Sequence, residues 1–229
     1  AGSSGRLGVL DAAECPPTFG TDPSLVVGII AGGPAALTRA QEGVEDRVDE
    51  GAAALAEQAV GPTDVVVGIA AGATTPFVLG ALAEARRRGA RTVFVTCVPP
   101  EDAPTPRDVN VAIAPLTGPE VITGSTRLKA GTATKLVLNM LTTASMIRLG
   151  KTYGNLMVDL QVTNAKLEDR GRRILRELLG VGYDEAGGLL AAAGGRVKTA
   201  LVMHRRGVER EEAEKLLDAA GGFLRQAWE

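Results

Sequence analysis

Two uninterrupted apolar runs set the strongest limit on what this chain can fold into. They are Leu25-Val26-Val27-Gly28-Ile29-Ile30 and Val65-Val66-Val67-Gly68-Ile69-Ala70, both rich in β-branched side chains and without in–out alternation. A strand with one face in water alternates polar and apolar residues, whereas a strand covered on both faces by helices does not. The runs therefore predict parallel strands in a layered fold, and residues 92–96 and 109–113 predict two more. Helical patterns lie between them, over residues 45–59 and 75–88. The second opens on Thr75-Pro76 and closes on Arg86, Arg87 and Arg88 before Gly89, a good start and stop for a helix. Strand–helix alternation at this spacing predicts a doubly wound, Rossmann-like α/β sheet.

Beyond Pro115 the pattern turns helical. Residues 125–150 and 156–179 predict long helices, and short amphipathic helices follow from Tyr183, punctuated by Gly187-Gly188, Gly194-Gly195 and Gly221-Gly222. The expected organisation is a main domain over residues 1–180 and a small helical subdomain over 181–229.

Composition closes off several functions. With 25 basic and 27 acidic residues interspersed, one Trp, two Tyr and four Phe, neither a basic stripe nor a stacking set argues for nucleic acid. His204 is the only histidine, which excludes a His-based metal cluster. Cys15 and Cys97 have no metal or redox spacing and read as reduced thiols of a cytosolic protein. The longest apolar run, near 136–149, is broken by Asn139, Thr142, Thr143 and Ser145, too short and polar to span a membrane.

Chemistry in such a sheet sits at the carboxyl ends of the strands. Three glycine-containing turns there carry hydroxyls: Ser3-Ser4-Gly5-Arg6, Ala71-Gly72-Ala73-Thr74-Thr75 and Thr123-Gly124-Ser125-Thr126. Hydroxyls and free N–H groups at helix starts favour a phosphate, and Arg6, Arg127 and Lys129 would add charge. The same residues also serve as ordinary N-caps, and the residues alone leave both readings open. The turns carry neither the Walker nor the dinucleotide glycine pattern. Two acids stand near such turns, Glu14 and Glu45. Pro16 and Pro17 are expected to end any helix at Glu14 and to fix a loop there. Glu45 reads as the start of a helix, where an acid is commonly a dipole partner. Held at one ligand, the pair would instead serve as general acid and base.

At these residues the chain resembles the N-acetylmuramic acid 6-phosphate etherases of the sugar isomerase (SIS) fold group. The similar segments are Ser4-Gly5-Arg6-Leu7-Gly8-Val9-Leu10-Asp11-Ala12 with Glu14-Cys15-Pro16-Pro17-Thr18-Phe19, Ile30-Ala31-Gly32-Gly33, Glu42-Gly43-Val44-Glu45-Asp46, Thr123-Gly124-Ser125-Thr126-Arg127-Leu128-Lys129-Ala130-Gly131-Thr132, Lys135-Leu136-Val137-Leu138-Asn139-Met140-Leu141 and Gly154-Asn155-Leu156-Met157-Val158-Asp159. The resemblance implies a five-stranded parallel SIS sheet whose first strand would precede Ala1, so that the chain reads as truncated at its N-terminus. It implies a cytoplasmic homodimeric lyase that needs no cofactor or metal and acts on a sugar phosphate. Glu45 matches the base for the C2 proton and Glu14 the acid that assists lactate departure. Ser3, Ser4, Gly5, Thr74, Thr75, Ser125 and Thr126 are the expected substrate contacts. The second turn departs from a common family form, which has Ser-Gly-Arg at Gly72, Ala73 and Thr74. Anchoring there is then expected from backbone N–H groups and Thr75. The alternative is a SIS sugar-phosphate sensor that regulates a partner without catalysis.

Overall fold

The computed structural model describes residues 1–99 and 108–228. The chain divides into two compact units, each drawn from two parts of the sequence: residues 1–13 with 27–140, and residues 14–26 with 141–229.

The first unit holds the sheet. Strands β1 (Val65–Ile69), β2 (Arg91–Val95) and β3 (Val111–Ile113) are all parallel, in the order β1-β2-β3. Val65 pairs with Arg91 and Ile69 with Val95, while Val93 pairs with Val111. Helix α4 (Pro76–Arg87) connects β1 to β2 and packs on both, and α3 (Val48–Glu57) packs on α4. Gly51 of α3 faces the Phe77 carbonyl so closely that a Cβ there would lie 2.0 Å from the oxygen. Gly80 stands in the same relation to the Val48 carbonyl at 2.3 Å, so the two helices approach backbone to backbone. The central cluster of Ala31, Ala70, Ala73, Phe77, Val78, Leu82 and Phe94 joins strand ends to α4.

Three of the four expected strands form. The exception is Leu25–Ile30, which makes no ladder: the chain bends at Leu25 and Val26, residues 27–30 join no strand, and Leu25 and Val27 are about half exposed. An apolar extended segment becomes a strand only where a neighbour offers backbone partners. Here residues 27–30 lie along helix α1 (Gly2–Phe19), where a Cβ on Gly28 would sit 2.6 Å from the Val9 Cα.

Helix α1 corrects two further expectations. It begins at Gly2, where a loop was expected, and continues through Pro16 and Pro17 to Phe19. A proline removes one i→i−4 bond rather than every bond, and these two fall in the final turns. The Gly20 amide donates to the Pro16 carbonyl (2.9 Å), and Gly20 at φ +60° closes the helix.

Helix α5 (Lys129–Arg148) starts four residues later than residue 125, and α6 (Ala165–Leu179) nine later than residue 156. The latter start is set by Asn164, whose Oδ1 accepts from the Leu167 amide at 2.9 Å. In the second unit α6, α7 (Tyr183–Ala192), α8 (Val197–Arg206), α9 (Arg210–Ala219) and α10 (Leu224–Trp228) enclose one core around Leu175, Leu190, Leu201 and Leu224. Lys198 is buried there, donating to Asp159 Oδ2 and to the Gly222 carbonyl, each at 2.7 Å. No described helix is long and apolar enough to cross a membrane.

Candidate active site

At the carboxyl end of the sheet the first unit gathers several of the expected residues. Ala70 and Ala73, just beyond β1, belong to the central cluster, and Ala1, Val44 and Val98 pack against it. One apolar floor therefore carries the start of α1, the turn holding Glu45, the turn after β1 and the segment after β2.

Ser3 and Ser4 lie half-buried in the first turn of α1, and Gly5 is buried. A Cβ on Gly5 would come within 2.7 Å of Ile30 Cγ1, so the absent side chain lets α1 settle against residues 27–30. Arg6 is tied to the segment that follows residues 27–30. Its Nε donates to the carbonyls of Ala36 (2.9 Å) and Leu37 (3.0 Å), at the carboxyl end of α2 (Ala35–Thr38). Glu45 is exposed on the 3-10 turn Val44–Asp46, entered through Gly43 at φ +72°.

In the second turn the Ala73 amide donates to the Ala70 carbonyl (2.9 Å), and Ala73 adopts φ +61°. A non-glycine residue in this left-handed region is uncommon. It turns the backbone so that Thr74 is exposed and Thr75 half-buried at the N-cap of α4. The Thr75 hydroxyl makes no cap hydrogen bond, so capping does not occupy it. The Ala71 carbonyl accepts from the Cys97 amide (2.9 Å) and from the Thr96 hydroxyl (3.2 Å), tying this turn to the end of β2.

The third turn holds Ser125, half-buried, and Thr126, exposed. Neither caps α5. Instead Glu120, unremarked in the sequence, accepts from the Lys129 amide (3.0 Å) and the Ala130 amide (2.9 Å). These bonds, Ala130 first, hold the Glu120 carboxyl below the usual carboxylate range. A capping box reaches three residues; a carboxylate this far upstream leaves no local signal. The Cys97 thiol points at the Ala130 carbonyl (3.9 Å) and is pushed up, first by burial. Asn139 links α5 to α1 in a way its sequence position does not signal: its Nδ2 donates to Asp11 Oδ1 at 2.6 Å.

Two spaces open in this unit. A cavity of ≈ 470 Å³ lies among Val27, Ile29, Ile30, Gly33, Glu50 and Phe77. A groove of ≈ 580 Å³ lies beside the third turn, lined by Arg127, Leu128, Lys129, Thr132, Ala133 and Leu136. Its two cations and Thr132 suit an anion better than the largely apolar cavity does. Glu14 is exposed on α1 and belongs to the second unit, Glu45 to the first. Among the described residues no group of His, Cys, Asp and Glu side chains could hold a metal ion.

A parallel sheet with hydroxyl-bearing turns at its carboxyl end defines a class, and comparison with known proteins agrees. Residues 1–86 match the glucokinase regulatory protein N-terminal SIS domain family. The chain is 58% identical over 227 residues to an N-acetylmuramic acid 6-phosphate etherase of Synechocystis sp., covering 99% of this chain and 74% of that relative. It is 57% identical to the protein of the same name from Trichormus variabilis, over 99% of this chain and 73% of that one. For Picosynechococcus sp. the identity is 56%, over 99% and 75%. The chain belongs to the N-acetylmuramic acid 6-phosphate etherase family.

Proposed function

We propose that this protein is a carbon–oxygen lyase that cleaves the D-lactyl ether of N-acetylmuramic acid 6-phosphate. The observation that carries the reading is identity of 55–58% with etherases along 99% of the chain. In the open-chain sugar the C1 aldehyde acidifies the C2 hydrogen. Glu45 takes that proton, and the C3–O bond breaks as Glu14 protonates the departing D-lactate oxygen. A C2=C3 double bond results. Water activated by Glu14 then adds its hydroxyl at C3, and a proton returns to C2, giving N-acetylglucosamine 6-phosphate. The aldehyde takes up the negative charge, so the scheme calls for no cofactor. Ser3, Ser4, Gly5, Thr74, Thr75, Ser125 and Thr126 hold the phosphate and sugar.

Residues 1–180 form the catalytic part in this reading, with 181–229 as an appended helical subdomain, and the enzyme works in the cytoplasm. It acts as a homodimer. Val121, Ile122, Leu136 and Met140 are exposed apolar side chains in the first unit, an arrangement that suits a subunit interface.

A second reading, a sugar-phosphate sensor, draws support from the match of residues 1–86 to a regulatory protein's SIS domain. Lactate release separates the two. The wild-type chain should release lactate, and Glu14→Gln or Glu45→Gln should each lower the rate by about 10²-fold or more. Binding of N-acetylglucosamine 6-phosphate without lactate release would replace the lyase with the sensor.

A further inference from the structure

We infer that Glu120 is a positioning residue for the substrate site: its carboxylate clasps the start of α5 and so holds the turn bearing Ser125 and Thr126 at the carboxyl end of the sheet. The inference rests on the reading that this turn contacts the sugar phosphate.

The geometry is bidentate. Oε2 takes the Lys129 amide at 3.0 Å and Oε1 the Ala130 amide at 2.9 Å, so each oxygen satisfies one of the donors that a helix start leaves without an intrahelical acceptor. A negative charge there is also favoured by the helix dipole. Between the acid and its two partners lie residues 121–128, closed into a loop by these bonds. The loop's own hydrogen bonds are short-range: Ser125 amide to Ile122 carbonyl (3.0 Å), Thr126 amide to Gly124 carbonyl (3.2 Å) and Leu128 amide to Ser125 carbonyl (3.4 Å). Burial does not anchor its first part, where Val121 is 91% and Ile122 62% exposed, and Ser125 and Leu128 are only half-buried. The clasp is therefore the fastening that fixes where Ser125 and Thr126 stand.

The place where it fastens them is equally specific. Ala130, one of the clasped residues, is buried, and its carbonyl faces the Cys97 thiol just beyond β2. The Cys97 amide in turn bonds the Ala71 carbonyl just beyond β1. The clasped end of α5 is thus seated against both strand ends, with the Arg127 and Lys129 groove alongside. Releasing the carboxylate frees the turn while leaving the sheet and the rest of α5 in place.

The test compares Glu120→Ala and Glu120→Gln with Asn164→Ala, which removes a side-chain cap of similar kind from α6, in the second unit. Kinetics of lactate release and hydrogen exchange of the 121–130 peptide are both read. Glu120→Ala should raise KM on the order of tenfold while kcat changes less than about threefold, as expected for lost substrate positioning. Glu120→Gln keeps one acceptor oxygen and should fall between. Exchange should quicken over 121–130 in Glu120→Ala alone, and Asn164→Ala should leave KM unchanged. The inference is overturned if Glu120→Ala keeps the wild-type KM while Ser125→Ala raises it, or if Asn164→Ala raises KM as much. If neither Ser125→Ala nor Thr126→Ala alters KM, the reading of the turn as a substrate contact fails and takes the inference with it. If the wild-type chain releases no lactate, the functional reading fails separately. Exchange then decides: deprotection confined to 121–130 upholds the clasp and unchanged protection overturns it.

Discussion

Removing Asp159 should destabilise the helical unit far more than removing its partner Lys198, and the excess should shrink in alkali. Lys198 is 6% exposed, and its ammonium has two acceptors, Asp159 Oδ2 and the Gly222 carbonyl, both at 2.7 Å. Asp159 also takes Lys151 at 3.2 Å and is itself 23% exposed. In Asp159→Ala the buried cation keeps one neutral acceptor and a second lysine nearby. Breaking a buried pair this way costs about 3–5 kcal/mol; partial exposure of the carboxylate puts this case near 3. In Lys198→Met the cation leaves, Lys151 still neutralises Asp159, and the new side chain packs, so the loss is about 1 kcal/mol. For a chain of this length that separates the variants as a drop of roughly 6–12 °C from one of roughly 2–4 °C in Tm.

The pH dependence follows from the lysine. Burial, the largest influence, sets the Lys198 proton affinity below that of an ordinary lysine, with Asp159 opposing it and Lys151 adding to it. A base with a lowered folded-state pKa binds fewer protons folded than unfolded, so its contribution to stability rises with pH between the two values. Without Asp159 the folded value drops further, and the variant regains stability as the amine becomes neutral. Thermal melts followed by circular dichroism between pH 7 and about 10 should show the Asp159→Ala deficit narrowing. Equal deficits in the two variants, or a deficit independent of pH, would refute the assignment of the cost to an unpaired buried charge.

Two other expectations concern single side chains. Gly51→Ala should destabilise the protein by about 2–3 kcal/mol in urea unfolding, because the new Cβ meets the Phe77 carbonyl at 2.0 Å. Gly188→Ala, in the middle of α7 with nothing within 4 Å, should instead stabilise it by about 0.5–1 kcal/mol. Peptide mapping after iodoacetamide treatment at pH 8 should find Cys97 slower than a free thiol, since burial and the Glu120 charge both disfavour the thiolate. Glu120→Gln should quicken that reaction, and an unchanged rate would remove Glu120 from the neighbourhood assigned to it.

The chain's local chemistry already spoke for much of this fold. Apolar runs at 65–70, 92–96 and 109–113 became β1, β2 and β3, and the Thr75-Pro76 start and Arg-Gly stop framed α4 within a residue. Those signals are carried by consecutive residues, so a linear reading finds them. The same reading placed Glu45 beside a helix start and located the turns at 71–75 and 123–126, while Ser3-Ser4-Gly5-Arg6 lies within α1. It failed where the outcome depends on a partner distant in the chain. Leu25–Ile30 has a strand's composition but no ladder, because α1 and not a strand lies along residues 27–30. Pro16 and Pro17 sit inside α1 rather than ending it, since the helix can lose two bonds when it stops a turn later. Glu120 caps α5 from across a loop, Asn139 reaches Asp11, and Lys198 finds Asp159. A hydrogen bond between residues far apart in sequence leaves no periodicity or spacing to read; only the packed chain brings its two ends within 3 Å.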